Sequence, residues 1–187
     1  EILSRSTPLP FQLDEEGVDE TLRLRYRWLD LRRPRMQRNL RLRARLVSTI
    51  RREMEADGFL DIQTPILFKP TPEGARDFVV PSRLQQGRFF ALPQSPQILK
   101  QLLVIGGFDG CYQSAVCCLY EDVRADRVQE VTQLDVEASF VEPPELQELI
   151  ERVLHASFAA AGVELELPFP RMSHAEAVGR YGTDRPD

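Results

Sequence analysis

Apolar positions recur at helical spacing in the first third of the chain. From Asn39 to Ala56, Leu42, Leu46, Ile50 and Met54 fall at four-residue steps with Val47 beside them, which predicts a long amphipathic helix. Asp57-Gly58 predicts its end, with glycine supplying the turn after the last helical residue. Phe59 to Ile62 then reads as a short strand, closed by Thr64-Pro65. Before all this, residues 1 to 21 hold few apolar positions and are interrupted by Pro8 and Pro10, with a turn at Asp14 to Gly17. They read as a connector.

Farther along, residues 68 to 76 predict a loop. Phe78–Pro81 and Arg88–Leu92 predict two strands around a turn at Gln85 to Gly87. Ser95-Pro96 predicts a helix start, with serine as cap and proline first, running to Ile105. Ile98, Leu99, Leu102 and Leu103 would share its inner side. Residues 111 to 119 form a largely apolar strand, 121 to 129 a charged loop. Residues 131 to 140 then alternate: Leu134, Val136, Ala138 and Phe140 point one way, Gln133, Asp135, Glu137 and Ser139 the other. Together these predict an antiparallel hairpin with one buried and one wet face. A helix follows over 145 to 161, with Leu146, Leu149, Ile150, Val153 and Leu154 inward, and a small one near His174 to Tyr181. Strands and helices mixed without regular alternation predict an α+β fold, an antiparallel sheet flanked by helices.

Composition narrows the function classes. The chain has 187 residues and no apolar window of membrane-spanning length, nor an apolar leader in its first ten residues, so the expectation is a soluble, cytoplasmic protein. Cys111, Cys117 and Cys118 lack the spacing and nearby histidines of a zinc site and read as small buried thiols. The net charge of −5 argues against a general nucleic-acid binder and gives no reason to expect DNA as a partner. The charge is uneven, however: residues 23 to 52 are dense in arginine, with Asp30 near the start, and 121 to 151 are mostly acidic. Neither a P-loop nor a dinucleotide-binding glycine pattern occurs.

Candidate chemistry gathers on the hairpin. Gln133, Asp135, Glu137 and Ser139, with Glu121 across the loop, could hold Mg²⁺, bind an ammonium group, or simply solvate the strand. Arg124 and Arg127 on the loop suit phosphate, or are surface charge. Lys69 and Lys100 are the only lysines. Lys100 lies three residues after Gln97, so the two share a helix face that could take a small carboxylate.

Several long segments, in order, resemble bacterial aspartyl-tRNA synthetases, of class II. They are RYRWLDLRRP (Arg25–Pro34), TPEGARDF (Thr71–Phe78), ALPQSPQILKQLL (Ala91–Leu103), EDVRADR (Glu121–Arg127) and TQLDVEASF (Thr132–Phe140). The resemblance implies a class II catalytic core, here incomplete: residues 22 to 187 with motifs 1 and 2 but without motif 3. Residues 1 to 21 would then be a connector from an anticodon-binding barrel. It implies aspartate, ATP with Mg²⁺, and tRNA as partners, with no cofactor tightly held by this chain. It also implies a homodimer through residues 38 to 65. Glu73, Ser95, Gln97, Lys100 and Asp135 would bind aspartate. Glu121, Arg124 and Gln133 would bind ATP, with Glu121 and Arg124 acting in catalysis. Arg127 would meet the tRNA acceptor end.

The resemblance weakens on the nucleotide side. Leu119 and Val116 stand where arginines are expected, and Val131 where an aromatic should stack on adenine. A leucine cannot donate to phosphate, and one lost donor typically costs about 10²–10³ in rate. Two readings stay open: a portion of an aspartate–tRNA ligase inactive by itself, or a non-catalytic relative that dimerises, binds an amino acid or regulates.

Overall fold

The computed structural model describes residues 3–4, 7–71, 73–123 and 128–185. The chain divides into two compact units, Glu1–Ser48 and Thr49–Asp187.

In the first unit, helix α1 (Glu20–Arg25) is capped by Asp19, whose carboxylate accepts from the Leu22 amide at 3.2 Å. A single turn, α2 (Arg27–Asp30), follows, and then the start of α3 (Pro34–Ala56). The long helix begins about a turn earlier than its apolar repeat suggests, because proline at the first position forgoes an N–H that has no partner there anyway. Asp30 is fully buried and organises the arginines: Arg23 Nε lies 3.0 Å from Oδ1, Arg33 3.6 Å from it, and Arg27 bonds Oδ2. Desolvation pushes the Asp30 carboxyl up. The hydrogen bond from Arg23 and the charges of Arg23, Arg27 and Arg33 outweigh it, so the group sits below its ordinary range. A cleft of about 630 Å³ is lined here by Arg35 and Arg38, opposed by Asp14 and Glu16.

In the second unit, the sheet has strand order β1 (Leu60–Asp61), β4 (Gly110–Cys118), β5 (Glu130–Ala138). β2 (Val79–Pro81) and β3 (Phe89–Ala91) form a separate antiparallel pair. The β4–β5 ladder is antiparallel, with Tyr112 opposite Val136 and Gln113 opposite Asp135. β1 joins β4 in parallel, Leu60 against Cys111, so the sheet is mixed rather than purely antiparallel. One face of the hairpin packs Tyr112, Leu134 and Val136 with Met54 from α3 and Leu149 and Val153 from α5 (Pro143–Ala160). Tyr112 is fully buried, and desolvation, with Asp61 and Glu55 beside it, pushes its phenol up to about 12.

Helix α5 starts two residues earlier than its apolar repeat, at the proline pair. A reciprocal cap holds it there: the Glu142 amide donates to Glu145 Oε2 at 2.7 Å. Helix α4 (Gln97–Ile105) starts one residue later than the serine–proline signal: Pro96 is its cap and has no side-chain acceptor, and Ser95, one residue outside, accepts from the Gln97 amide through Oγ at 3.1 Å. Helix α6 (His174–Tyr181) has the predicted bounds.

Some inward expectations fail. β5 ends at Ala138, and Phe140 is wholly exposed at φ 58°, a left-handed turn that breaks the alternation. Leu102, Leu146 and Leu154 lie on the edges of their helices' buried stripes and are 57%, 40% and 37% exposed.

Candidate functional site

The second face of the hairpin is the polar one, and it is wet only toward Gln133. α4 and the segments 73–77 and 92–96 cover it, leaving Cys111, Ala115, Cys117 and Asp135 buried. The alternation shows two faces but cannot show what lies above each. Lys100 is buried with no exposed surface, reaching from α4 to this face. Its Nζ donates to the Asp135 carbonyl at 2.9 Å and stands 3.2 Å from Asp135 Oδ1. That oxygen is near enough for an ion pair but receives no directed hydrogen bond.

Glu73 approaches from the loop before β2. One of its carboxylate oxygens, Oε2, is likewise buried without a hydrogen-bond partner. Burial pushes the Glu73 carboxyl up. Hydrogen bonds from Thr71 and from the Ser95 backbone work against this, while the charges of Asp77 and Asp135 add to it. Glu137, opposite Cys111, is also pushed up, first by burial and then by Asp135, with Lys100 opposing. Asp135 thus adds its charge to both Glu73 and Glu137, while Lys100 pairs with Asp135 and opposes the shift of Glu137, a field suited to a ligand that brings its own cation.

Cys117 donates from Sγ to Gln133 Oε1 at 3.4 Å. Desolvation, aided by Asp135, its neighbour Cys118 and Glu73, pushes the thiol up to about 11, so it is a packing group and not a nucleophile near neutrality.

The remaining candidates are more scattered. Gln97, expected to share a face with Lys100, is exposed at the first position of α4. Gln133 is exposed apart from its thiol contact. Glu121 is exposed, and its backbone carbonyl accepts from Gln129 Nε2 at 3.2 Å. Arg124 and Arg127 lie outside the described residues. Leu119 is half-buried with its amide bonded to the Gln129 carbonyl at 2.8 Å. Val116 is 46% exposed opposite Thr132, and Val131 faces Cys117 across the ladder.

Residues 19–187 match the family model described as tRNA synthetases class II (D, K and N). The chain belongs to that family. Among class II synthetases, it is 55% identical to the aspartate–tRNA(Asp) ligase of Deinococcus radiodurans, covering all of this chain and 33% of that protein. It is 52% identical to the aspartate–tRNA(Asp/Asn) ligase of Thermodesulfovibrio yellowstonii, over all of this chain and 32% of that one. The chain therefore spans about a third of the length of these relatives. Its fold resembles that of the asparaginyl-tRNA synthetase of Pyrococcus horikoshii, solved with asparaginyl-adenylate. The TM-score is 0.74 at 21% identity, over 86% of this chain and 36% of the other. The α+β class II architecture expected from the sequence is thus the observed one.

One residue outside the sequence-derived set, Gln94, belongs to the same neighbourhood. Gln94 is buried and bonds both Ala75 and Asp77. A glutamine between two prolines in a loop is a weak signal, because nothing in spacing distinguishes it from Gln97.

Proposed function

We propose that the Glu73–Lys100–Asp135 pocket binds aspartate, and that the chain is the amino-acid-binding portion of an aspartate–tRNA ligase. The supporting observation is the buried Lys100–Asp135 pair with two carboxylate oxygens, on Asp135 and Glu73, left without hydrogen-bond donors. An ammonium group supplies donors to both. Lys100, turning from Asp135, meets the side-chain carboxylate of the ligand. Asparagine offers an amide in place of that carboxylate and loses the charge pair, which is the basis of discrimination.

In the complete reaction an aspartate α-carboxylate oxygen attacks the α-phosphorus of ATP, pyrophosphate leaves, and the aspartyl group passes to the tRNA terminal adenosine. We assign Gln133, Glu121 and Arg124 to the nucleotide, the last two in catalysis, Ser95 and Gln97 to the rim of the amino-acid pocket, and Arg127 to the acceptor end. Mg²⁺ would ride on the ATP phosphates. Among the described residues no three acidic, thiol or imidazole groups converge on a point, and this ion is ordinarily held by one or two carboxylates plus phosphate oxygens. Residues 38 to 65 are assigned to a homodimer interface, consistent with Leu60 being 49% exposed on edge strand β1. Residues 1 to 21 are assigned as a connector and 22 to 187 as the catalytic portion. No helix among the described residues is long and apolar enough to cross a membrane, and we place the reaction in the cytoplasm.

A second reading, amino-acid binding without adenylation, is favoured by one observation: Leu119 offers an aliphatic side chain where the resemblance puts a phosphate donor. Calorimetry with aspartate, asparagine and ATP separately tests both. Aspartate heat without asparagine heat is expected. ATP heat would favour the ligase reading, and equal response to both amino acids would remove the aspartate assignment.

A further inference from the structure

Gln94 leaves only 5% of its surface exposed. Its side-chain nitrogen donates twice, to the Ala75 carbonyl at 2.9 Å and to Asp77 Oδ1 at 2.6 Å. An amide nitrogen has two hydrogens, so both are spent on one short segment, 73–77. That segment begins with Glu73, whose carboxylate meets the backbone of Ser95, the residue next to Gln94.

The segment needs holding. Glu73 stands near Asp135 and Asp77, and like charges push it away. Gly74 at φ 92°, with open space around its α-carbon, is a pivot. Beyond the pivot the chain is anchored: the Phe78 carbonyl accepts from the Leu92 amide at 2.8 Å, and the Phe78 ring lies edge-on to Tyr120 with centroids 5.0 Å apart. Between the pivot and this anchor, Arg76 pairs with Tyr120 in an isolated antiparallel bridge, and the two bonds from Gln94 add side-chain ties on either side of it, at Ala75 and Asp77.

We infer that Gln94 is a positioning residue that holds segment 73–77, and with it Glu73, over the amino-acid pocket. The holding is independent of what the pocket binds; its consequence for affinity rests on the aspartate assignment above.

Hydrogen exchange and calorimetry on the full chain test it with variants at Gln94 and Asp77. Gln94→Met keeps the shape and removes both donors, Gln94→Glu replaces the donor by an acceptor, and Gln94→Glu/Asp77→Asn reverses the pair. Gln94→Met is expected to speed amide exchange over 74–78 by roughly tenfold or more, from two lost buried hydrogen bonds, with β4 and β5 unchanged. Asp77→Leu, which removes one of the two acceptors of the Gln94 amide, is expected to speed exchange over the same amides and serves should the Met variant not fold. Unchanged exchange in the folded variant overturns the inference. Aspartate affinity is expected to fall in Gln94→Glu and to recover in part in the reversed pair, a rescue that general loss of packing would not give. A reversed pair no better than Gln94→Glu also overturns it. If the unaltered chain fails to bind aspartate, the pocket assignment falls, while the exchange result still decides the role of Gln94.

Discussion

Lys100 and Asp135 form a buried pair, Nζ bonded to the backbone carbonyl at 2.9 Å while the carboxylate oxygen 3.2 Å away accepts no directed hydrogen bond. The pair is held in register by two different elements, α4 and β5. Removing one charge leaves the other buried and uncompensated. Lys100→Met is therefore expected to cost about 3–5 kcal/mol in urea unfolding. Lys100→Met/Asp135→Leu should lose less than the single variant, because no charge is then stranded. A double variant no more stable than the single one would show the pair is not the source of the loss.

Aspartate binding should depend on acid. Burial raises the Glu73 carboxyl above its ordinary value of 4.5, so Glu73 takes up a proton at a higher pH than a free glutamate would. Affinity is expected to be full near neutrality and to weaken as pH falls through that raised value. Glu73→Gln should bind more weakly at pH 7 and lose most of the slope between neutrality and the ordinary carboxylate range. Calorimetry at several pH values checks both; an unaltered slope would remove Glu73 from the pocket.

Asp30 works in the opposite sense. Its carboxyl is held below the ordinary 3.8, so the folded chain keeps it ionised where the unfolded chain would protonate it. The stabilisation is complete above 3.8 and drains away as pH falls through the lower folded value. Asp30→Asn should destabilise the chain near neutrality and flatten the acid limb of its unfolding curve. An unchanged acid limb would show that the three arginines do not stabilise the charge.

Catalysis is the harder test. Leu119 cannot donate to phosphate, and one missing donor typically costs about 10²–10³ in rate. The purified chain is expected to show no aspartate-dependent ATP–pyrophosphate exchange. Leu119→Arg should raise ATP affinity in calorimetry. Robust exchange by the unaltered chain would refute the reading of Leu119 as a lost donor.

Core packing gives a plainer expectation. Met54 is fully buried against Tyr112, Leu149 and Val153. Met54→Ala is expected to cost about 2–5 kcal/mol, measured by denaturant titration.

Much of this architecture is legible in the residues. The four-residue repeat through Met54 identifies α3, and glycine at φ 84° after Asp57 ends it. Ser173 caps α6 through the Glu176 amide, which is why that helix starts where its signal says. Tertiary facts are less visible. The sequence places Lys100 on a helix face with Gln97 but does not show its burial until α4 is known to lie over β5, since burial of a charge depends on a partner thirty-five positions away. The wet face fails for the same reason: alternation reports two sides, not which one is roofed. Phe140 fails because one left-handed residue ends a strand that its apolar character would continue.

The parallel joint between β1 and β4 bears on how the chain assembles. It links Leu60 to Cys111 and Asp61 to Tyr112, roughly fifty positions apart, whereas β4 and β5 are joined by a short connection. Closing so wide a span costs more entropy than zipping a ribbon. The ribbon is thus expected to form first, with the segment carrying both Glu73 and Lys100 settling afterwards. Pulse-labelled refolding should protect Tyr112 and Val136 before Lys100, making ligand-binding competence the last property the polypeptide acquires.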